Sequence, residues 1–263
     1  MLPAPQSCWR PWRERFLARS TRPLPATTAP RLDPERRRLL AASLAVFQLG
    51  ESGEGRIAHQ IRHARISGID DDYRAALRLF VAEEGRHGRI LGQMVRALGG
   101  ELLGHTWTEA LFRRGRRLLG VRLKLLVLLA AEVVAVVFYG ALVAGLPASP
   151  MRQALAEVVA DEQLHLDFHV AFFQTQTGSR ARRLGFSWVW WTVALSACAA
   201  VAWDHRRLLR ALGTPLRSVV AASLQQIARV DDRVRQRKPK RRRSPRLTAR
   251  LTATFGPPRM QAR

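Results

Sequence analysis

Apolar residues recur at helical spacing along most of the chain between positions 33 and 236. The first stripe runs Leu40, Leu44, Phe47, Glu51, Glu54, Ala58, Ile61. Asp33-Pro34 opens it, with Asp as N-cap and Pro at the first helical position, and Ser67-Gly68 closes it. A second stripe, Leu77, Phe80, Glu84, His87, Leu91 and Met94, follows the cap Asp70 and stops at Gly99-Gly100. The third, Leu118, Leu125, Leu129, Glu132, Val136, Tyr139 and Val143, runs to Gly145-Leu146-Pro147. Ser149-Pro150 then opens a fourth: Leu155, Val158, Glu162, His165, His169 and Phe172, closed by Thr177-Gly178. Two more helical segments are expected near 184–212 and 215–236, and no strand pattern of any length occurs.

The fold class is therefore all-α. Each of the first four helices is expected to be about 25–33 residues long, against ~11–12 in an average globular protein. A longer connection, with a short helix expected near 107–114, separates the second from the third. Two long helical hairpins joined in this way predict a four-helix bundle over 33–178, with accessory helices over 179–236 packed on the bundle or on a membrane.

Every stripe should face the bundle interior, yet each carries a glutamate near its middle. A lone buried carboxylate is costly unless it is paired or bound to metal. Glu132 is the sharpest case, because it is the single acid between Glu109 and Glu157 and sits in a long apolar run. A buried arginine partner, or protonation, is the bland alternative. Two other stripes contain Glu84-x-x-His87 and Glu162-x-x-His165. Spacing of three puts both side chains on one helix face, so a carboxylate oxygen and an imidazole nitrogen can meet one metal. With 11 Glu and seven His in the chain, random placement gives about 0.3 such pairs, and two occur.

The halves repeat. FVAEEGRH (80–87) aligns with VVADEQLH (158–165), matching Glu84 to Glu162, His87 to His165 and Glu83 to Asp161. Glu132 precedes Glu162 by the same 30 residues that separate Glu54 from Glu84. This spacing favours Glu54 over Glu51 as the carboxylate of the first helix, with Glu51 as an alternative ligand or supporting group. His169, one turn beyond His165, reads as a third histidine ligand, a proton relay or a hydrogen-bonded core residue. Tyr139 lies two turns past Glu132, about 10 Å along the axis, which suits a pocket role or simple core packing. Glycines beside the carboxylates, including Gly85, Gly88 and Gly92, leave either space for a substrate or room for close helix contact.

These residues resemble the ferritin-like di-metal carboxylate proteins: ferritin, rubrerythrin, the ribonucleotide reductase small subunit, bacterial hydrocarbon monooxygenases and the hydroxylase of ubiquinone biosynthesis. The segments LGESGEGR, AEEGRH, AAEVV and ADEQLH look most like uncharacterised bacterial ferritin-like proteins, over about residues 35–178. The resemblance implies a ferritin-like bundle in which Glu54, Glu84, His87, Glu132, Glu162 and His165 ligate two metals, with Glu84 and Glu162 bridging. It also implies that Asp161 accepts a hydrogen bond from His87, and Glu83 from His165. Mixed oxygen and nitrogen ligation with few histidines suits two iron ions, or manganese or a mixed pair, better than copper or zinc.

Composition adjusts this picture at the edges. The net charge is +24, with 44 Lys+Arg against 20 Asp+Glu. Residues 1–32, basic and Pro-rich with Glu14 as their only acid, read as a disordered leader, and 237–263 as a disordered basic tail. A solvated tail explains the charge without nucleic acid. Cys8 and Cys198 form no disulfide or zinc pattern, which fits a reducing, cytoplasmic setting. The stretch 186–203 has 18 uncharged residues with Trp at both ends and arginines beyond each, so it packs on the bundle or meets a membrane.

The leading functional expectation is a diiron oxidoreductase that activates dioxygen on an unspecified small-molecule or lipid substrate. An iron- or peroxide-handling protein of ferritin, rubrerythrin or manganese-catalase type is the alternative. A binding protein acting through its basic tail comes last, since it leaves the doubled motif unexplained. A homodimer and a peripheral membrane contact are compatible with each.

Overall fold

Four helix starts carry a side-chain cap that satisfies an otherwise unpaired backbone N–H. Asp33 accepts from Arg36 N at 2.9 Å, Asp70 from Tyr73 N at 2.8 Å, Ser149 from Arg152 N at 3.2 Å and Ser179 from Arg182 N at 3.3 Å. The structure is a computed structural model that describes residues 7–52, 55–62, 64–104 and 120–236. Among them there are nine helices and no strand. They are α1 (Arg10–Arg19), α2 (Pro34–Glu51), α3 (Gly55–Arg62), α4 (Asp71–Ala97), α5 (Val121–Gly145), α6 (Pro150–Gln176), α7 (Arg180–Asp204), α8 (Arg206–Ala211) and α9 (Leu216–Arg235).

Four of the helices meet in antiparallel pairs, α2 with α4 and α5 with α6. Gly100, Gly92 and Gly88 of the α4 strip face Ala41, Gln48 and Ser52 of the α2 strip, so α2 rises as α4 descends. Arg122 bonds Gln176 and Arg152 bonds the Val143 carbonyl, which sets α5 against α6 in the same sense. A Cβ on Gly88 would stand 3.1 Å from Ser52 Oγ and 3.6 Å from Glu51 Cβ. At this position glycine serves close helix contact, the second of the two readings offered for it.

Two apolar cores lie at the two ends of these helices. One gathers Tyr73, Phe80, Leu125, Leu129, Phe168 and Phe172, the other Leu40, Leu91, Phe138, Leu142, Leu155 and Val158. Each fully buried side chain of this kind contributes roughly 1.5–3 kcal/mol. Along α4 and α6 the change from one core to the other occurs at the Glu-x-x-His motifs. The polar residues are therefore held in a layer with packed hydrocarbon on both sides.

Three expectations change. Residues 7–32 are an ordered part of the fold rather than a disordered leader. Trp9 and Phe16 are buried, and Trp9 Nε1 donates to the Gly68 carbonyl at 2.7 Å. Trp9 meets Tyr73 edge-on at 4.8 Å, and Phe16 meets Phe168 at 5.4 Å. Two aromatic anchors outweigh a composition that lacks helical periodicity. Beyond α1 the chain runs as a strap without regular structure, tied by Arg86 Nη2 to the Pro23 carbonyl at 2.7 Å and by Met151 N to the Thr28 carbonyl at 3.2 Å.

The first long stripe is carried by two described helices, α2 ending at Glu51 with Ser52 as its C-cap and α3 beginning at Gly55. Three glycines within six residues, Gly50, Gly53 and Gly55, weaken a helix by about 1 kcal/mol each. The segment expected near 184–212 is also two helices, parted at His205, whose Nδ1 is held 2.9 Å from Ser43 Oγ. The expected helix near 107–114, residues Glu54, His63 and His105, and the tail 237–263 lie outside the described residues.

The apolar run 186–203 lies in α7, which packs along one side against α5 and α9. Both α5 and α7 are long and apolar enough to cross a membrane, but two thirds of the α5 window is buried inside the protein. That burial explains α5 as a core helix.

Candidate metal centre

Helical spacing does the first part of the work at the centre. Glu84 and His87 sit one turn apart on α4, and Glu162 and His165 one turn apart on α6. Antiparallel packing of α4 against α6 then brings both pairs together. One ligand atom from each of the four residues lies within 4.8 Å of all the others, and all four residues are buried. This buried Glu/His cluster can hold a metal ion.

Both imidazoles turn Nδ1 inward. His87 Nδ1 is 3.0 Å from Glu162 Oε1 and 3.9 Å from Glu84 Oε1. His165 Nδ1 is 2.6 Å from Glu84 Oε1, 3.1 Å from Glu162 Oε2 and 3.7 Å from Glu132 Oε2. Both turn Nε2 outward to an acid on the opposing helix: His87 to Asp161 Oδ2 at 3.2 Å, His165 to Glu83 Oε2 at 3.0 Å. A proton on Nε2 shared with a carboxylate leaves the Nδ1 lone pair facing the cluster.

Two further carboxylates among the described residues border this core. Glu132 of α5 is buried, with Oε1 3.7 Å from His169 Nε2. Glu51, the last residue of α2, accepts a hydrogen bond from Tyr139 Oη at 2.8 Å. Glu54 falls outside the described residues. His169 is fully buried and neither ring nitrogen has a hydrogen-bond partner. Of the remaining histidines among the described residues, His59 is exposed and His205 meets Ser43.

The outer acids are themselves held, by residues that sequence reasoning overlooked. Arg19, the end of α1, pairs with Glu83 at 3.0 Å and also with Asp161. Arg22 of the strap pairs with Glu83 at 2.8 Å and Asp161 at 2.6 Å. Arg86 adds a longer approach to Asp161 at 3.7 Å. Two arginines in an arginine-rich segment carry no local signal. Only the docking of Trp9 and Phe16 brings them to the site.

The electrostatics follow from crowding. Burial raises Glu51 and Glu132 well above the usual carboxylate range, and the charges of Glu84 and Glu162 push in the same direction. Burial also opposes the charge on Glu162, but the facing His87 and His165 hold it well below its ordinary value. His87 resists burial through Glu162, Asp161 and Glu84 and is raised to about 9; His165 is raised as well. Burial and the neighbouring His165 bring His169 down to about 3. Asp161 overcomes its burial through His87 and Arg22 and drops to about 2.

No family model matches the chain, and no curated protein and no solved structure matches it either.

Proposed function

We propose that this protein is a ferritin-like di-metal carboxylate protein, with α2, α4, α5 and α6 as its bundle, and that it uses two iron ions as an oxidoreductase acting with dioxygen. One observation carries the reading: ligand atoms of Glu84, His87, Glu162 and His165, all four residues buried, lie within 4.8 Å of one another. Buried carboxylates crowded together are costly unless a cation joins them, and one placed here would meet all four side chains. The donor set of carboxylate oxygens and imidazole nitrogens suits iron or manganese.

His87 and His165 would bind through Nδ1, with Glu84 and Glu162 between them and Glu132 and Glu51 completing the set. Glu51 is taken as the α2 ligand because the charges of Glu84, Glu162 and Glu132 all bear on its carboxyl. Bound iron would supply electrons and an affinity for oxygen. The chain's own groups do the rest. Asp161 and Glu83 fix the orientation of the histidines, Tyr139 Oη holds a proton at Glu51, and the two apolar cores keep bulk water from the layer.

Metal content tests this directly. Protein made under iron-replete conditions should carry about two ions per chain, and Glu132→Ala should lower that number. Anaerobic loading with ferrous iron followed by oxygen should change the optical spectrum. Protein without metal, or an unaltered content in the variant, would overturn the reading. Manganese in the isolated protein, with peroxide breakdown, would favour the catalase-like alternative.

A further inference from the structure

Helix α7 is apolar without being buried. Its most apolar 18-residue window is only 28% buried, against 67% for the corresponding window of α5. Leu184 (55% exposed), Trp188 (76%), Leu195 (40%) and Trp203 (68%) recur at helical spacing along one side. The hydroxyls on that side need no water, since Thr192 Oγ1 bonds the Trp188 carbonyl and Ser196 Oγ the Thr192 carbonyl. An exposed apolar face of this length on a helix otherwise committed to the fold marks an interaction surface.

The charge around it identifies the partner. Arg180, Arg182 and Arg183 stand at one end of α7, and Arg206, Arg207 and Arg210 just beyond the other. None of the six makes an ion pair with an acid among the described residues. Arg206 lies over the Trp203 ring, 4.1 Å from its centroid. Trp and Arg at the margins of an apolar face is the arrangement that sits at the boundary between acyl chains and headgroups. A second copy fits poorly, because antiparallel pairing of two α7 helices would set three arginines against three at each end.

The helix cannot leave the protein to span a bilayer. Its other face is pinned by Trp190 Nε1 to the Ile227 carbonyl at 3.0 Å and by Trp191 Nε1 and Ser187 Oγ to Asp231, at 3.2 and 2.5 Å. We propose that α7 docks side-on into the surface of an anionic lipid bilayer, with Trp188 and Trp203 at the acyl boundary and the flanking arginines on lipid phosphates. The proposal is independent of the metal centre.

The full chain is tested by flotation with vesicles of phosphatidylcholine alone and of phosphatidylcholine with phosphatidylglycerol. Tryptophan quenching by brominated acyl chains is read in parallel. Binding to the anionic vesicles with quenching is expected. A Trp188→Ser/Trp203→Ser variant, altered only at exposed positions and checked by circular dichroism, should bind on the order of tenfold more weakly and lose most of the quenching. The tail 237–263 contains no tryptophan, so binding through it alone leaves fluorescence unchanged. Equal binding by the variant, no vesicle binding, or a dimer on a sizing column that protects the two tryptophans would each overturn the proposal.

Discussion

His87 of α4 and Asp161 of α6 meet at 3.2 Å across the helix interface, while His165 of α6 and Glu83 of α4 meet at 3.0 Å in the reverse direction. Each histidine is thus oriented by the helix that does not carry it. The same two acids receive Arg19 and Arg22 from the N-terminal segment, so the layer behind the centre joins three parts of the chain.

Asp161→Asn keeps the shape but removes the charge that holds His87. Metal affinity should fall by about 10–100-fold, the usual cost of losing the partner of a ligating histidine. Competition against a chelator of known affinity measures it. Glu83→Gln should act in the same direction through His165. Unchanged affinity in both variants would mean that these acids serve packing alone.

Arg19→Ala or Arg22→Ala should destabilise the protein by about 1–2 kcal/mol. Each leaves a buried carboxylate short of a partner, but the arginines are 24% and 32% exposed, so solvent screens part of the loss. Urea unfolding of the metal-free chain gives the number. The double variant should lose more, because the acids are shared.

Metal uptake should depend on pH. His87 keeps its proton up to about 9 without metal, so binding near neutral pH must release protons and apparent affinity should rise as the pH approaches that value. Titration in weakly buffered solution counts the protons. In the metal-free chain, the His87 contribution to stability is full below its unfolded pKa of ~6.5 and is lost as the pH rises through about 9. The Asp161 contribution is present above its unfolded value of ~3.9 and is lost as the pH falls towards 2. Thermal unfolding in the presence of chelator should therefore decline at both extremes.

Glu51→Ala should lower the metal content, while Glu54→Ala should leave it near the parent value. The reverse result would restore the carboxylate favoured by the 30-residue repeat. Tyr139→Phe removes a buried hydrogen bond to Glu51 and should cost about 1 kcal/mol of stability, read by urea unfolding, with metal retained.

Much of the centre is legible in the chain itself, for a local reason. A spacing of three on a helix puts Glu84 beside His87 and Glu162 beside His165 whatever the surroundings, and Asp33, Asp70 and Ser149 mark helix starts by short-range hydrogen bonding. The apolar neighbours of Glu132 announce its burial in the same way. Tertiary structure alone decided the rest. Arg19 and Arg22 reach the outer acids only because Trp9 and Phe16 dock some sixty to one hundred and fifty positions away in sequence, which no local pattern encodes. Which face of α7 is buried likewise depended on α5 and α9. Spacing along a helix determines which residues share a face, whereas packing between distant segments determines what that face meets.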